Sequence, residues 1–432
     1  MAEPIVTAPP RRGPKALTAL LIIVAALLII ALAVVFALAG GGVIASPASV
    51  IGPPVRVAGD HGDRVYVLTS QWKTYVSSYR GRTNRTDLLV DVWAFDGASA
   101  KPVWRRRLAK SPRGVNMGRA LLGAQAGALW TLQASGPVAL SLTDGSVTAD
   151  TARLEVANPA LKGLIPTEER YYRFDGEGLA FTAADGRSWR LAGADLKLVP
   201  TTTRASDKPP AAGVTLPARL GGGNGTSAFM ERGLQIGGHW LGLMGEPEVA
   251  NFRTYGAIGG IDPASHPRMR LWSARVGATR TFFGARSVFS DFAPLPEGPE
   301  FLNAGLLSNG DSRSDAPLLL FKPDSVLVLH RHRLGDQGRV QLSRVAGPAG
   351  KPLWTADLPM TAVEAVMPGE TSIVLLGRRD EPGPRRGPDS DRPVSVDQIV
   401  AVDLASGKVG AYGFKVKATK PEEIPPSSTT LP

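Results

Sequence analysis

No cysteine occurs anywhere in the 432 residues. That absence removes disulfides, thiolate nucleophiles, cysteine-ligated zinc, haem attachment and a lipidated N-terminal cysteine in one step. Histidine is scarce, at five residues. Three signatures of catalysis are missing too: a Gly-x-Ser-x-Gly elbow, a phosphate loop ending in Gly-Lys-Ser/Thr, and a His-Glu-x-x-His helix. Beyond residue 50 no long stretch carries apolar residues at i, i+3, i+4 and i+7, so a helical body is excluded. The chain is nevertheless far from disordered composition, since 43% of it is hydrophobic and only 20% charged. What is abundant is glycine and proline, 49 and 36 residues, which interrupt regular backbone and favour short elements.

The longest apolar run lies near the N-terminus. From Ala16 to Ala39 the only polar side chain is Thr18. A helix of that length spans roughly 36 Å at 1.5 Å per residue, more than the ~30 Å hydrocarbon layer of a bilayer. Arg11, Arg12 and Lys15 precede it against the single acid Glu3, and no charge follows until Arg56. The positive-inside rule therefore puts residues 1–15 in the cytoplasm as a basic tail, residues 16–39 in the membrane, and the rest outside. Ala37-Leu38-Ala39 also fits a signal-peptidase site, but the run exceeds the 7–15 residues usual in a cleaved signal, so a retained anchor is expected. The localisation expected is an inner (cytoplasmic) membrane protein with its C-terminal domain periplasmic or extracellular.

The formal charge is +11. Its arginines are spread along the chain in short pairs, a pattern of base composition more than of a basic patch, and no nucleic-acid partner is expected. The densest local cluster is Arg80, Arg82 and Arg85 in a polar hairpin tip beside Tyr75 and Tyr79, a candidate anion or partner contact.

Short apolar runs of strand length dominate the remainder, among them Val65–Leu68, Leu88–Phe95, Ala128–Leu132, Val138–Leu142, Leu318–Phe321, Val326–Leu329, Ile373–Leu376 and Ile399–Val402. Between them stand Asp144-Gly145, Asp175-Gly176, Asp185-Gly186, Asn309-Gly310 and Ser406-Gly407, pairs that tolerate positive φ and close hairpins. One phrase recurs. Ala94-Phe95-Asp96 is followed by Ser99 and then Trp104; Ala401-Val402-Asp403 by Ser406 and Gly407. Looser copies contain Gly145, Gly186, Trp272, and Gly350 with Trp354. Each reads as a strand end, a tight turn capped by Asp or Ser with Gly in the left-handed position, and a return strand. A tryptophan on the return strand offers a flat surface to a neighbouring unit. The copies begin near residues 94, 139, 180, 260, 344 and 401, and spacings of about 40–45 residues suit a four-stranded propeller blade.

The frame Ala-x-Asp-x-x-Ser/Thr-Gly-x-x-x-Trp, carried by Ala94, Asp96, Ser99, Trp104, Ala401, Asp403, Ser406 and Gly407, resembles the repeat of quinoprotein-like (PQQ-type) β-propellers. The stretch Asp87–Asp96 is also similar to bacterial membrane-anchored proteins of this class. The resemblance implies an all-β chain: an N-terminal transmembrane helix, a linker over 40–54, a propeller of about seven four-stranded blades (six or eight open) over 55–416, and an unfolded tail over 417–432. It implies a tryptophan docked between adjacent blades. It does not carry over the quinone site, because enzymes of this type hold the cofactor with a vicinal disulfide and a calcium ion. This chain has neither cysteine nor an Asp-x-Asp-x-Asp-Gly loop.

Isolated candidates for chemistry are weak. Asp87 and Asp91 share a strand face but lie some 13 Å apart along it, too far to act as a carboxylate pair on one bond. His330 and His332 fall on one face of a strand, yet Arg331 and Arg333 flank them and no third metal ligand is evident. The expectation is thus a non-catalytic scaffold without cofactor or metal, held by the membrane through its N-terminal helix and serving an envelope protein partner. A quinone-dependent dehydrogenase or other propeller enzyme is the alternative.

Overall fold

The computed structural model describes residues 43–59, 62–77, 83–112, 119–175, 178–202, 233–236, 239–255, 267–281, 284–306, 325–334, 339–347, 349–379 and 396–414. The expected membrane helix, the run Leu318–Phe321, Gly176 and the Asn309-Gly310 turn lie outside them. Among the described residues no helix is long and apolar enough to cross a membrane.

The chain is all-β, built from antiparallel sheets met in chain order. The first sheet contains β1 (Val43–Ala45), β2 (Ser49–Val50), β3 (Val55–Val57), β4 (Arg64–Ser77), β5 (Thr83–Asp96) and β6 (Pro102–Pro112). The segment 40–54, read from sequence as a linker, thus supplies two short strands, both paired with β4. The second sheet is β7 (Ala120–Gln125), β8 (Ala128–Gln133), β9 (Gly136–Ser141) and β10 (Val147–Ala149). After helix α1 (Thr151–Ala157), capped by Asp150, comes the third: β11 (Tyr172–Asp175), β12 (Gly178–Thr182), β13 (Ser188–Leu191) and β14 (Leu198–Pro200).

The next eight strands join into one sheet around helix α2 (Glu246–Tyr255). They are β15 (Gly233–Ile236), β16 (His239–Met244), β17 (Arg268–Thr281), β18 (Gly284–Pro294), β19 (Phe301–Leu306), β20 (Ser325–Arg331), β21 (Val340–Ala346) and β22 (Pro352–Asp357). Among the described residues the strand pairing between its two halves is that of Arg268 and Met269 of β17 with Leu302 and Phe301 of β19. The last sheet is β23 (Met360–Pro368), β24 (Ser372–Arg379), β25 (Gln398–Asp403) and β26 (Val409–Gly413).

Why the strands read as continuous apolar runs follows from the packing. A sheet with one wet face alternates apolar and polar, whereas one covered on both faces does not. In the first sheet Tyr66, Leu68, Val92 and Ala94 pack against Leu129 and Leu140 of the second. Their sequence neighbours Val65, Val67, Trp93 and Phe95 point the other way, against Val374, Leu376, Ile399 and Ala401 of the last. In that last sheet Ile373, Leu375, Val400 and Val402 pack in turn on Leu327 and Leu329 of β20. The second and third sheets share a cluster through Trp130, Leu132, Leu179 and Phe181.

The contact between first and last sheets is the farthest-reaching in sequence. Trp93, Phe95, Tyr412 and Phe414 form an aromatic cluster with centroids 5.3 Å (Phe95 to Tyr412) to 5.9 Å (Trp93 to Phe414) apart. Each such pair contributes about 0.5–1.5 kcal/mol beyond its buried area. A backbone bridge joins Val50 to Val396, the Val50 N–H donating to the Val396 carbonyl at 2.8 Å. Arg56, its side chain 8% exposed, donates to the carbonyls of Met367 (2.5 Å) and Ser372 (3.0 Å) and to Ser372 Oγ (2.7 Å) while pairing with Asp63.

Candidate functional site

The recurring phrase lies where neighbouring sheets meet. Four turns share one hydrogen-bond pattern: Asp96 to Ala100, Ser141 to Gly145, Ala346 to Gly350 and Asp403 to Gly407. In each, the last N–H donates to the first carbonyl, at 2.8, 3.0, 2.8 and 2.8 Å. The final residue takes positive φ, at 55, 72, 84 and 72°. Asp96 Oδ1 accepts from the backbone N–H and hydroxyl of Ser99, and Asp403 Oδ1 does the same for Ser406. These two bonds from Ser406, hydroxyl first, hold the Asp403 carboxyl below its usual value of 3.8.

Two of the tryptophans, Trp104 and Trp354, dock on the turn of another sheet. Trp104, opposite Ala94 on β6, is 2% exposed and lies against Gly145 of the second sheet. Its indole N–H donates to the Leu142 carbonyl at 3.1 Å, which also accepts from the Tyr66 hydroxyl at 3.0 Å. Arg106 adds a bond to the Gly145 carbonyl at 3.0 Å. Trp354 on β22 repeats this arrangement against Gly407 in the last sheet, its indole N–H donating to Leu404 at 3.1 Å beside the Arg344 guanidinium at 2.8 Å. Elsewhere other residues fill the place. Leu295 lies under Gly350, and at the first-to-last contact Gly410 lies against the Ser99 carbonyl, which shuts out any side chain there.

Two members of the sequence frame belong elsewhere. Gly186 sits in the β12–β13 hairpin, whose turn is one residue shorter, and nothing lies within 4 Å of where its Cβ would be. The third sheet's equivalent turn is 192–197, with Leu196 at φ 61° and its carbonyl bonded by Asn158 Nδ2 at 2.8 Å. The sequence signal that finds it is lysine: Lys101, Lys197, Lys351 and Lys408 each follow the left-handed residue, and the carbonyl of each accepts from the N–H of the first residue of its turn. Trp272 lies inside β17, stacked on Phe292 at 5.4 Å, with its indole N–H on the Met244 carbonyl of its own sheet at 3.2 Å.

A cavity of about 410 Å³ opens where β3, β7 and β11 of the first three sheets converge. Val55, Val57, Leu121 and Phe174 make its apolar wall; Glu169, Arg173 and Tyr172 are its polar groups besides Arg56. Burial pushes the Tyr172 phenol far up, and its hydroxyl donates to the Pro166 carbonyl, so it stays a neutral donor. No serine, threonine, histidine or aspartate is among the described lining residues. The cavity can hold a small molecule by packing and by the Glu169 and Arg173 charges.

Of the three arginines singled out by sequence, Arg80 and Arg82 lie outside the described residues. Arg85 is exposed and pairs with buried Asp87 at 3.0 Å, which Lys110 approaches at 3.3 Å from β6. Asp91 is clamped by Arg105 at 2.6 Å and by Arg107. Both aspartates are therefore occupied by cations on a long hairpin and do not form an acid–base pair. His330 is buried, shares a 2.8 Å hydrogen bond with Ser343 Oγ and packs at a tilt against the Phe301 ring with centroids 4.9 Å apart, while His332 is exposed. Among the described residues no three His, Asp or Glu side chains cluster as a metal site would require.

No family model matches the chain, and no curated protein matches it either. Among solved structures, a glycoside hydrolase family 32 structure from Bifidobacterium adolescentis aligns at 8% identity with a TM-score of 0.12, covering 87% of this chain. The chain spans 66% of that protein's length. A likeness so slight carries no argument about fold or activity.

Proposed function

We propose that the chain is a membrane-anchored, extracytoplasmic β-propeller acting as a non-catalytic binding or assembly scaffold in the bacterial envelope. The observation that carries this reading is the packing of the first sheet on both the second and the last. Successive antiparallel sheets linked that way suit a ring. Counting the eight-stranded sheet as two units joined by β17 and β19, the described strands make six units, five of four strands and the first of four with β1 and β2 added at the edge of β4. We therefore read six blades where the sequence spacing suggested about seven. The docked Trp104 and Trp354 support the quinoprotein-like likeness of the repeat.

The apolar run Ala16–Ala39 and the cations before it support the anchor and an outward-facing propeller. A rigid ring held at a membrane presents loops at both ends, where recognition is usually placed. In-cell cross-linking of the full chain followed by mass spectrometry tests the scaffold reading. Recurrent cross-links to one or a few envelope proteins are expected, and their absence at native expression overturns it. The enzyme alternative is tested by adding pyrroloquinoline quinone and calcium. A scaffold shows no thermal stabilisation, whereas a bound cofactor must raise stability by mass action.

A further inference from the structure

The hairpin β4–β5 is much longer than its sheet needs. Both strands have 14 residues, against 6 in β8 and β9, and their apolar core residues stop at Leu68 on β4 and at Leu88 on β5. The outer half carries a different set of side chains. Trp72 is 43% exposed. Lys73 and Tyr75 are half-buried, and the side chains of Arg85 and Lys110 are 63% and 45% exposed. Lys110 Nζ stands 5.8 Å over the Tyr75 ring, and Tyr75 pairs with Arg85 across the ladder. Cations with amphipathic aromatic rings are the composition of a membrane–water interface.

The N-terminal strand fixes where this end must be. β1 runs antiparallel to β4, Val43 beside Tyr75 and Ala45 beside Lys73, and β2 continues toward the sheet body with Ser49 beside Ser70. The chain therefore enters at the outer end of the hairpin. Only four residue steps separate Val43 from Ala39, the last residue of the apolar run, and they span at most about 14 Å. One strand spacing of about 5 Å then reaches Tyr75. With Ala16–Ala39 in the bilayer, Tyr75, Lys73 and Arg85 are held within about 25 Å of the hydrocarbon edge, a distance comparable with the headgroup layer plus one or two Debye lengths.

We infer that the outer end of this hairpin rests on anionic phospholipid headgroups of the membrane that anchors the chain, and so sets the propeller's orientation. The inference rests on the anchored reading above. Trp72 and Tyr75 would sit at headgroup level, with Lys73, Arg85 and Lys110 outweighing the one nearby acid, Asp87.

The absence of cysteine permits a single-site probe. Full-length protein carrying Thr74→Cys with a spin label is reconstituted into phosphatidylcholine bilayers with and without phosphatidylglycerol, and its relaxation by lipid-soluble oxygen is compared with that by a water-soluble nickel chelate. Leu353→Cys, 49% exposed on β22, is the control site. Expected is a label at residue 74 that favours oxygen in the anionic bilayer and the chelate in the neutral one, while residue 353 favours the chelate in both. Lys73→Glu should shift the docked-to-undocked ratio about thirty-fold toward undocked, which corresponds to about 2 kcal/mol for two elementary charges near an anionic surface. A carbonate-resistant protein whose residue 74 stays accessible to the chelate overturns the inference and leaves the anchor intact. A residue shielded from both probes also overturns it, in favour of a protein contact. Release of the full chain by carbonate overturns the anchor and the inference together.

Discussion

Replacing Gly145 by alanine separates the docking of a tryptophan from the geometry of the turn that receives it. Gly145 and Gly186 both hold positive φ, 72° and 80°, so alanine at either costs about 1–2 kcal/mol of backbone strain. Their surroundings differ. A Cβ at Gly145 would stand 2.7 Å from Cε3 of Trp104, whereas one at Gly186 meets nothing within 4 Å. Trp104 is 2% exposed and pinned by its indole bond to Leu142, so the ring cannot swing into water without losing both packing and that bond. Overpacking of this kind adds about 1–3 kcal/mol. Gly145→Ala should therefore destabilise the protein by about 2–5 kcal/mol and Gly186→Ala by about 1–2, read as the difference in urea-unfolding midpoints at constant slope. Combining Gly145→Ala with Trp104→Ala should cost less than the sum of the two, because the clash vanishes with the ring. Equal costs for the two glycine variants, or additivity in the double variant, would refute the docking account.

Trp104→Ala should cost about 3–5 kcal/mol and Trp354→Ala less, since Trp354 is only half-buried; equilibrium unfolding of the two variants checks the order. Arg56→Ala removes the bonds to Met367 and Ser372 and leaves Asp63 without its cation, for an expected loss of about 3 kcal/mol; hydrogen exchange should rise in β24 as well as in β3. Burial draws the His330 pKa below 6.5, against a smaller upward pull from an Arg331 backbone bond. The unfolded chain then takes up the proton first, so the stability that neutral His330 gives is present above pH 6.5 and lost as the pH falls through the lowered folded value. His330→Leu should flatten the stability profile between about pH 7 and pH 5, measured by thermal unfolding.

The inner strands were legible because they are covered on both faces, which turns a half-polar alternation into a run such as Ile373–Leu376 or Ile399–Val402. The turns were legible where glycine marks the left-handed residue, at 145, 350 and 407. Ala100 and Leu196 occupy the same conformation without that mark, their strain outweighed by the hydrogen bonds that close each turn. Trp272 misled because tryptophan is equally at home inside a strand stacked on Phe292. The partners that complete the docking, the carbonyls of Leu142 and Leu404 and the cations Arg106 and Arg344, could not be read from any motif. A backbone acceptor has no residue type, and an arginine reaching across a sheet boundary looks like any other arginine. The Arg56 contact with Ser372 spans more than 300 residues, beyond any local pattern.

Contact between the first and last sheets is the claim on which the ring depends, and the cysteine-free chain allows a direct measurement. Val50 and Val396 form an antiparallel bridge, a geometry whose Cα separation of about 5.5 Å suits a disulfide. In the otherwise unchanged full-length protein, Val50→Cys with Val396→Cys should oxidise within single molecules and give a faster-migrating, reducible band, since the link closes nearly the whole folded chain into a loop. Free thiols after oxidation, or cross-links only between molecules, would contradict the account.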